Sequence, residues 1–111
     1  MLILLLSAAC SQPADTGAVV CGTHSPTLGY TNFGEGFLLE HCAGCHSSML
    51  PADARQGAPV GVDLDSLDLA REWAERSKIR TVTELTMPPG GGPSDEERLW
   101  FGEWIDCGMP P

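Results

Sequence analysis

The chain has 111 residues and carries fifteen Asp and Glu against six Lys and Arg, a net charge of −9. That length allows one domain. The charge excludes a nucleic-acid partner, whose phosphates it would repel, and suits either a basic partner surface or plain solubility. Nine prolines and thirteen glycines leave little room for long uninterrupted elements. With only three Trp, three Phe and one Tyr, so short a chain benefits from a covalent staple or a prosthetic group to complete its core.

The chain opens with an apolar run, Leu2–Leu6, followed by Ser7-Ala8-Ala9. The run is far short of the roughly 20 residues that span a bilayer, and it reads as a signal peptide over residues 1–9. Small residues immediately before Cys10 resemble a bacterial lipoprotein signal. That resemblance implies lipidation of Cys10 after cleavage and anchoring on the exported side of the membrane. Cleavage by an ordinary signal peptidase near "SAA" is the alternative. Residues 10–32 are rich in Ser, Thr, Gly and Pro without a helical period, the composition of a tether and irregular lead-in. The folded domain is expected over 33–111.

Within it, "EGFLLEHC" predicts a short helix from Phe33 toward Cys45. Residues 47–62, with Pro51, Gly57, Pro59 and Gly61, read as loop. A helix capped by Asp63 or Asp65 is expected to run to about Thr81. Leu67, Ala70, Trp73, Ala74 and Ser77 share one face of it, and Arg71/Glu75 and Glu72/Arg76 form i,i+4 pairs on the others. "TMPPGGGP" over 86–93 breaks the chain, and "SDEE" opens a last helix with Ser94 as cap and Glu97 three residues later. No run alternates with period two. The expected class is therefore all-α, three to four helices joined by long loops. Helix connections are ordinarily a few residues, so loops this long point to a centre filled by something besides side chains.

The five cysteines are Cys10, Cys21, Cys42, Cys45 and Cys107. An exported protein meets an oxidising compartment where free thiols are unusual. With Cys10 lipidated or removed and Cys42 and Cys45 acting as a pair, Cys21 and Cys107 remain to bridge. A redox disulfide between Cys42 and Cys45 would leave the same bridge, so counting does not separate the two.

The motif Cys42-Ala43-Gly44-Cys45-His46 places two thiols on nearly one helical face, with a histidine directly after the second. At that spacing the thiols can reach both vinyl groups of one haem while the histidine points at the iron. A structural zinc site needs four ligands, and no second close Cys/His pair is present. A thioredoxin-like dithiol needs a βαβ pattern that this chain lacks.

On this motif, and on the order helix, CxxCH, loop, helix, MPP, helix, the chain resembles the small class I c-type cytochromes of bacteria. The resemblance implies a cytochrome c-like fold around a single haem c attached to Cys42 and Cys45, with His46 as one axial ligand. It implies Met87, in "TMPPGGGP", as the other. Met49 would pack beside the attachment loop, and Met109 would be pinned by Cys107. In that family a glycine and an apolar residue of the first helix pack on an aromatic of the last, here Gly34 or Gly36 with Phe37 or Leu38 against Trp100 or Trp104. A carbonyl beyond the histidine accepts its ring N–H, here that of Ala58 or Pro59. Arg55 either pairs with a haem propionate or is a solvated loop charge.

The function so implied is single-electron transfer in the cell envelope, in the periplasm or on a membrane anchor facing it. The chain would act without transforming a substrate and would dock redox partners through a basic face of theirs. The alternative is a haem-based sensor or enzyme whose distal site is open or displaceable. No His or Arg neighbours Met87 in sequence to activate a bound peroxide.

Overall fold

A computed structural model describes residues 20–111. The expected signal peptide, Cys10 and the first half of the lead-in lie outside the described residues. Among the described residues the fold is all-α, with no strand, and no helix is long and apolar enough to cross a membrane.

The first helix starts earlier than its apolar pattern indicates. A π turn over Tyr30–Gly34 runs directly into α1, Glu35–His41. Its start is set by distant and side-chain partners. Gly29 N–H donates to Asn32 Oδ1 at 2.7 Å, and Tyr30 N–H donates to the Pro110 carbonyl at 2.9 Å. Those bonds satisfy donors that a helix N-terminus otherwise leaves open.

The middle helix also departs from expectation. Its cap is Ser66, whose hydroxyl accepts from Leu69 N–H at 3.2 Å, because the Asp63 and Asp65 carboxylates are engaged in the preceding loop. The expected single helix is interrupted at Trp73 (φ −106°, ψ 11°), separating α2 (Leu67–Glu72) from α3 (Ala74–Lys78), and a π turn follows over Ile79–Thr83. The interruption breaks the four-residue register that Glu72/Arg76 needed. Arg71 turns away from Glu75: it lies 3.8 Å from Asp68 and donates to the Met109 carbonyl at 2.7 Å.

α4, Asp95–Asp106, begins where the sequence places it. Ser94 accepts from Glu97 N–H at 3.2 Å, and the Glu97 carboxylate accepts from Ser94 N–H at 2.7 Å. This reciprocal box satisfies two orphan donors at once. Beyond the helix, Cys107 is bridged to Cys21, 86 residues earlier.

The core lies where α1 meets α4. Phe37 and Leu38 pack with Phe101 and Trp104, joined by Leu64, Ala70 and Met109. The Phe37 and Phe101 rings stack with centroids 4.4 Å apart, and Gly34 sits directly under the Trp104 ring. The sequence left Gly34 and Gly36 open for this contact; Gly34 makes it, while Gly36 faces open space. Side chains thus fill the α1–α4 end of the molecule. The two long loops are organised differently. Each wraps a buried guanidinium, Arg55 in the first (1% exposed) and Arg98 beneath the second (8%).

Candidate functional site

α1 delivers His41 into the CxxCH turn. Cys42 N–H and Ala43 N–H both donate to the Leu38 carbonyl, ending the helix. Cys45 N–H and His46 N–H then both donate to the Cys42 carbonyl, at 3.2 and 2.9 Å. One tight turn therefore gathers Cys42, Cys45 and His46. Gly44 has nothing within 4 Å of where a Cβ would stand, so the outer side of the turn is clear. Both cysteines are free thiols, half-buried. Burial pushes the Cys42 thiol up to about 12, so it is a neutral thiol at ordinary pH, the opposite of the lowered value that activates a redox dithiol.

The His46 ring is aimed by its neighbours. Its Nδ1 lies 2.9 Å from the Val62 carbonyl, which can only accept, so Nδ1 carries the proton and the Nε2 lone pair is left for a ligand bond. The residue supplying this carbonyl is Val62, not Ala58 or Pro59 as the family pattern suggests. Arg55 braces the loop that presents this carbonyl, bonding Val62 O itself. Its Nε donates to Ala58 O (3.3 Å), its Nη1 to Ser47 O (2.6 Å), and its Nη2 to Pro59 O and Val62 O (2.9 Å each). The Ala58 and Pro59 carbonyls are spent on the guanidinium. Both Nη2 protons are then committed, so Asp63 Oδ1, 2.8 Å away, balances the charge without receiving one. Arg55 is thus not a solvated charge; it is the internal scaffold of the loop that carries Val62.

Asp65 closes the same loop. Its Oδ2 accepts from Ser47 Oγ (2.9 Å), Ser48 N–H (3.0 Å) and Ser48 Oγ (2.8 Å), which fixes the two residues after His46. Partial burial raises the Asp65 carboxyl, but the Ser48 and Ser47 hydroxyls and the Ser48 amide outweigh it and hold the group below its ordinary value. A carboxyl lowered on folding contributes stability that is complete above its unfolded value, near 4, and lost as pH falls through the lower folded value. Asp65→Asn is therefore expected to cost about 1 kcal/mol at pH 7, the worth of charged hydrogen bonds discounted for solvent screening. In urea titrations the difference from the unsubstituted protein should shrink steadily below pH 4. An undiminished gap at pH 2.5 would mean the carboxylate charge is not what matters.

Met87 sits on the other long loop, half-buried, and its peptide bond to Pro88 is cis. Of the remaining methionines after Met1, Met49 is 85% exposed, so most of it stands clear of the attachment loop beside which it is expected to pack, while Met109 is 2% exposed and belongs to the core. The backbone of Met87 is held at both ends: its N–H donates to the Arg80 carbonyl at 3.2 Å, and its carbonyl accepts from Arg98 Nη1 at 2.9 Å. Gly91 N–H closes a turn onto Pro88 O at 3.2 Å. At Gly92, φ is +96°, and a Cβ would stand 3.2 Å from Pro88 Cγ and 3.3 Å from His41 Nδ1; only glycine fits. This contact brings the Met87 loop against the residue that precedes Cys42. Arg98 and His41 are therefore neighbours of the loop in space although none flanks Met87 in sequence. Charge patterning on α4 could have singled out Arg98, the only basic residue of that helix, but nothing in the sequence says where its side chain goes.

Two features complete the picture. Trp73 Nε1 is buried with no hydrogen-bond partner, which is costly for an indole N–H unless an acceptor meets it. Among the described residues no three His, Cys, Asp or Glu side chains are gathered to hold a bare metal ion. Compared with protein-family models, with curated proteins and with solved structures, the chain matches none.

Proposed function

We propose that this chain is a small c-type cytochrome that carries single electrons in a bacterial cell envelope. The observation that carries the reading is the CxxCH turn itself. It presents two free thiols beside an imidazole whose Nδ1 is tied to the Val62 carbonyl, in a chain whose other described cysteines are bridged to each other. Cys42 and Cys45 would hold the haem covalently, His46 Nε2 would be one axial ligand, and the Met87 sulfur the other.

The residues present fit such a group. A histidine that donates through Nδ1 to a carbonyl is fixed in the tautomer and orientation that ligation requires. The orphan Trp73 N–H would find an acceptor in a haem carboxylate. The small Ala43 and Gly44 put little in the way of a macrocycle lying against the turn. The bound haem would supply a one-electron ferric–ferrous couple. The protein's part is to fix the ligands, keep water from the iron and set the potential. Met87 is the methionine best suited to ligation, because Met49 is largely exposed and Met109 is committed to the core. A cytochrome c-like arrangement is supported by the close packing of Gly34, at the start of α1, against Trp104 of α4. Envelope localisation, anchoring through Cys10 and docking to basic partners follow from the signal-like N-terminus and the net charge of −9.

The test is an optical spectrum of protein exported by cells competent in haem attachment. Sharp bands on reduction, with the weak far-red band that sulfur ligation gives the oxidised form, are expected, and Met87→Ala should abolish the far-red band. A haem protein that lacks this band and shifts on adding carbon monoxide would replace the electron carrier with an open-site sensor or enzyme. No covalent haem at all would remove the reading of the CxxCH turn altogether.

A further inference from the structure

We infer that Arg98 is the positioning residue for Met87: its buried guanidinium clamps the Met87 loop onto α4, so that the thioether is held in place by the protein before any ligand bond forms. The inference rests on the reading of Met87 as a ligand.

The contacts are specific. Arg98 Nη1 donates to Thr81 O at 2.6 Å and to Met87 O at 2.9 Å, and Nη2 donates to Gly91 O at 3.1 Å. One planar fork thus joins the π turn before the loop, the proposed ligand residue and the far end of the loop. A lysine ammonium cannot span three carbonyls in this geometry. The side chain is 8% exposed, and among the described residues no ion pair involves it, whereas Arg55, Arg71, Lys78 and Arg80 each face a carboxylate. A buried cation without a counter-charge is expensive unless its hydrogen bonds are complete. Here they are made to backbone carbonyls alone, one in the π turn and two in the loop. Such a charge serves the loop in a way a surface arginine could not.

Two consequences follow from the chemistry. A thioether is a weak ligand, and a strong external base such as imidazole competes with it. The more freely the loop moves, the less the competitor has to overcome. Loss of the fork should therefore be read directly as tighter imidazole binding. The charge acts separately: a buried cation close to the ligand residue disfavours the ferric over the ferrous form, so removing it should lower the reduction potential. Arg98→Lys keeps the charge and loses the fork; Arg98→Met loses both.

The experiment uses the haem-loaded protein with Arg98→Met, Arg98→Lys and Met87→Ala. Imidazole titration of the oxidised form, the far-red band and the midpoint potential are measured on each. Both Arg98 variants are expected to bind imidazole about tenfold more tightly or more, the factor for losing a charge-assisted hydrogen bond on the ligand's own carbonyl. Only Arg98→Met is expected to lower the potential. If the unsubstituted protein shows the sulfur band, Met87→Ala loses it, and both Arg98 variants keep unchanged imidazole affinity, the role of Arg98 is overturned while Met87 ligation stands. If the unsubstituted protein lacks the band, Met87 ligation fails and the role of Arg98 falls with it. A measurement without substitution covers variants that do not fold. In the reduced, diamagnetic protein the Arg98 Nη protons should be individually resolved by NMR, as three fixed carbonyl bonds require; a single averaged signal would overturn the clamp.

Discussion

Replacing Cys21 and Cys107 together by serine is expected to cost about 4.5 kcal/mol, close to the whole stability of many small domains. The figure follows from the separation of 86 residues that the bridge closes, because the entropy removed from the unfolded chain grows with the logarithm of the loop. The folded state has little to lose locally. Cys21 is exposed, and the lead-in it tethers also meets α4 through Thr23 Oγ1 and His24 Nε2 on Glu103, at 3.3 and 2.8 Å, and through the edge of the His24 ring on Trp100. Helix content should therefore survive the double substitution while the denaturant midpoint drops steeply. The double variant is the right probe, since a single one leaves an unpaired thiol free to exchange with Cys42 and Cys45, the two free thiols. Urea unfolding checks this. A loss under about 1 kcal/mol would show that the unfolded chain is already constrained by other means, and that the bridge is incidental.

The sequence made local features legible and left long-range ones hidden. Ser94 and Glu97 announce α4 because a capping box is written in four consecutive residues. The CxxCH turn is legible for the same reason. Pairing Cys21 with Cys107 needed only a count. The misses share a cause: each depends on a partner outside its own local segment. The first helix starts at Tyr30 because Pro110 supplies an acceptor some 80 residues later. Ser66, not Asp63 or Asp65, caps α2 because those carboxylates have stronger calls on them from Arg55 and the two serines. Val62, not Ala58 or Pro59, meets His46, in a loop whose course is set by the bonds of Arg55 to the Ala58, Pro59 and Val62 carbonyls.

The two long loops show the same division. Their Pro and Gly content marks them as irregular, but irregular backbone still has to satisfy its carbonyls when it is buried. Here two arginines do so, one for each loop, and neither could be assigned that role from its sequence neighbours. Apolar periodicity finds helices; it is blind to a core built on guanidinium and carbonyls. In the proposed cytochrome, that core would lie behind both axial ligands, with Arg55 supporting the loop that orients His46 and Arg98 supporting the loop that bears Met87.

Alanine at Gly34 and alanine at Gly36 are expected to change stability in opposite directions, although only one residue separates them. At Gly34 a Cβ would overlap the Trp104 ring at Cη2 and Cζ2 and stand 2.9 Å from Cε2, so something must move. The indole has nowhere to go: it is 1% exposed, stacked near Tyr30, met edge-on by Phe33, and anchored by its Nε1–H to the Pro110 carbonyl at 3.1 Å. The helices must separate instead, at a cost of about 3 kcal/mol or more. At Gly36 nothing lies within 4 Å and the backbone is already helical, so alanine should add roughly 0.5–1 kcal/mol by restricting the unfolded chain. Thermal unfolding of the two variants decides it, and equal effects would mean that α1 can slide on α4 without loss. The position also matters for the proposed site. α1 runs from its cap at Gly34 to His41, which lies against Gly92 on one side and precedes Cys42 on the other. A shift of α1 forced at Gly34 would therefore move the attachment turn against the Met87 loop, and Gly34→Ala protein that still folds should show a weakened sulfur band, whereas Gly36→Ala should not.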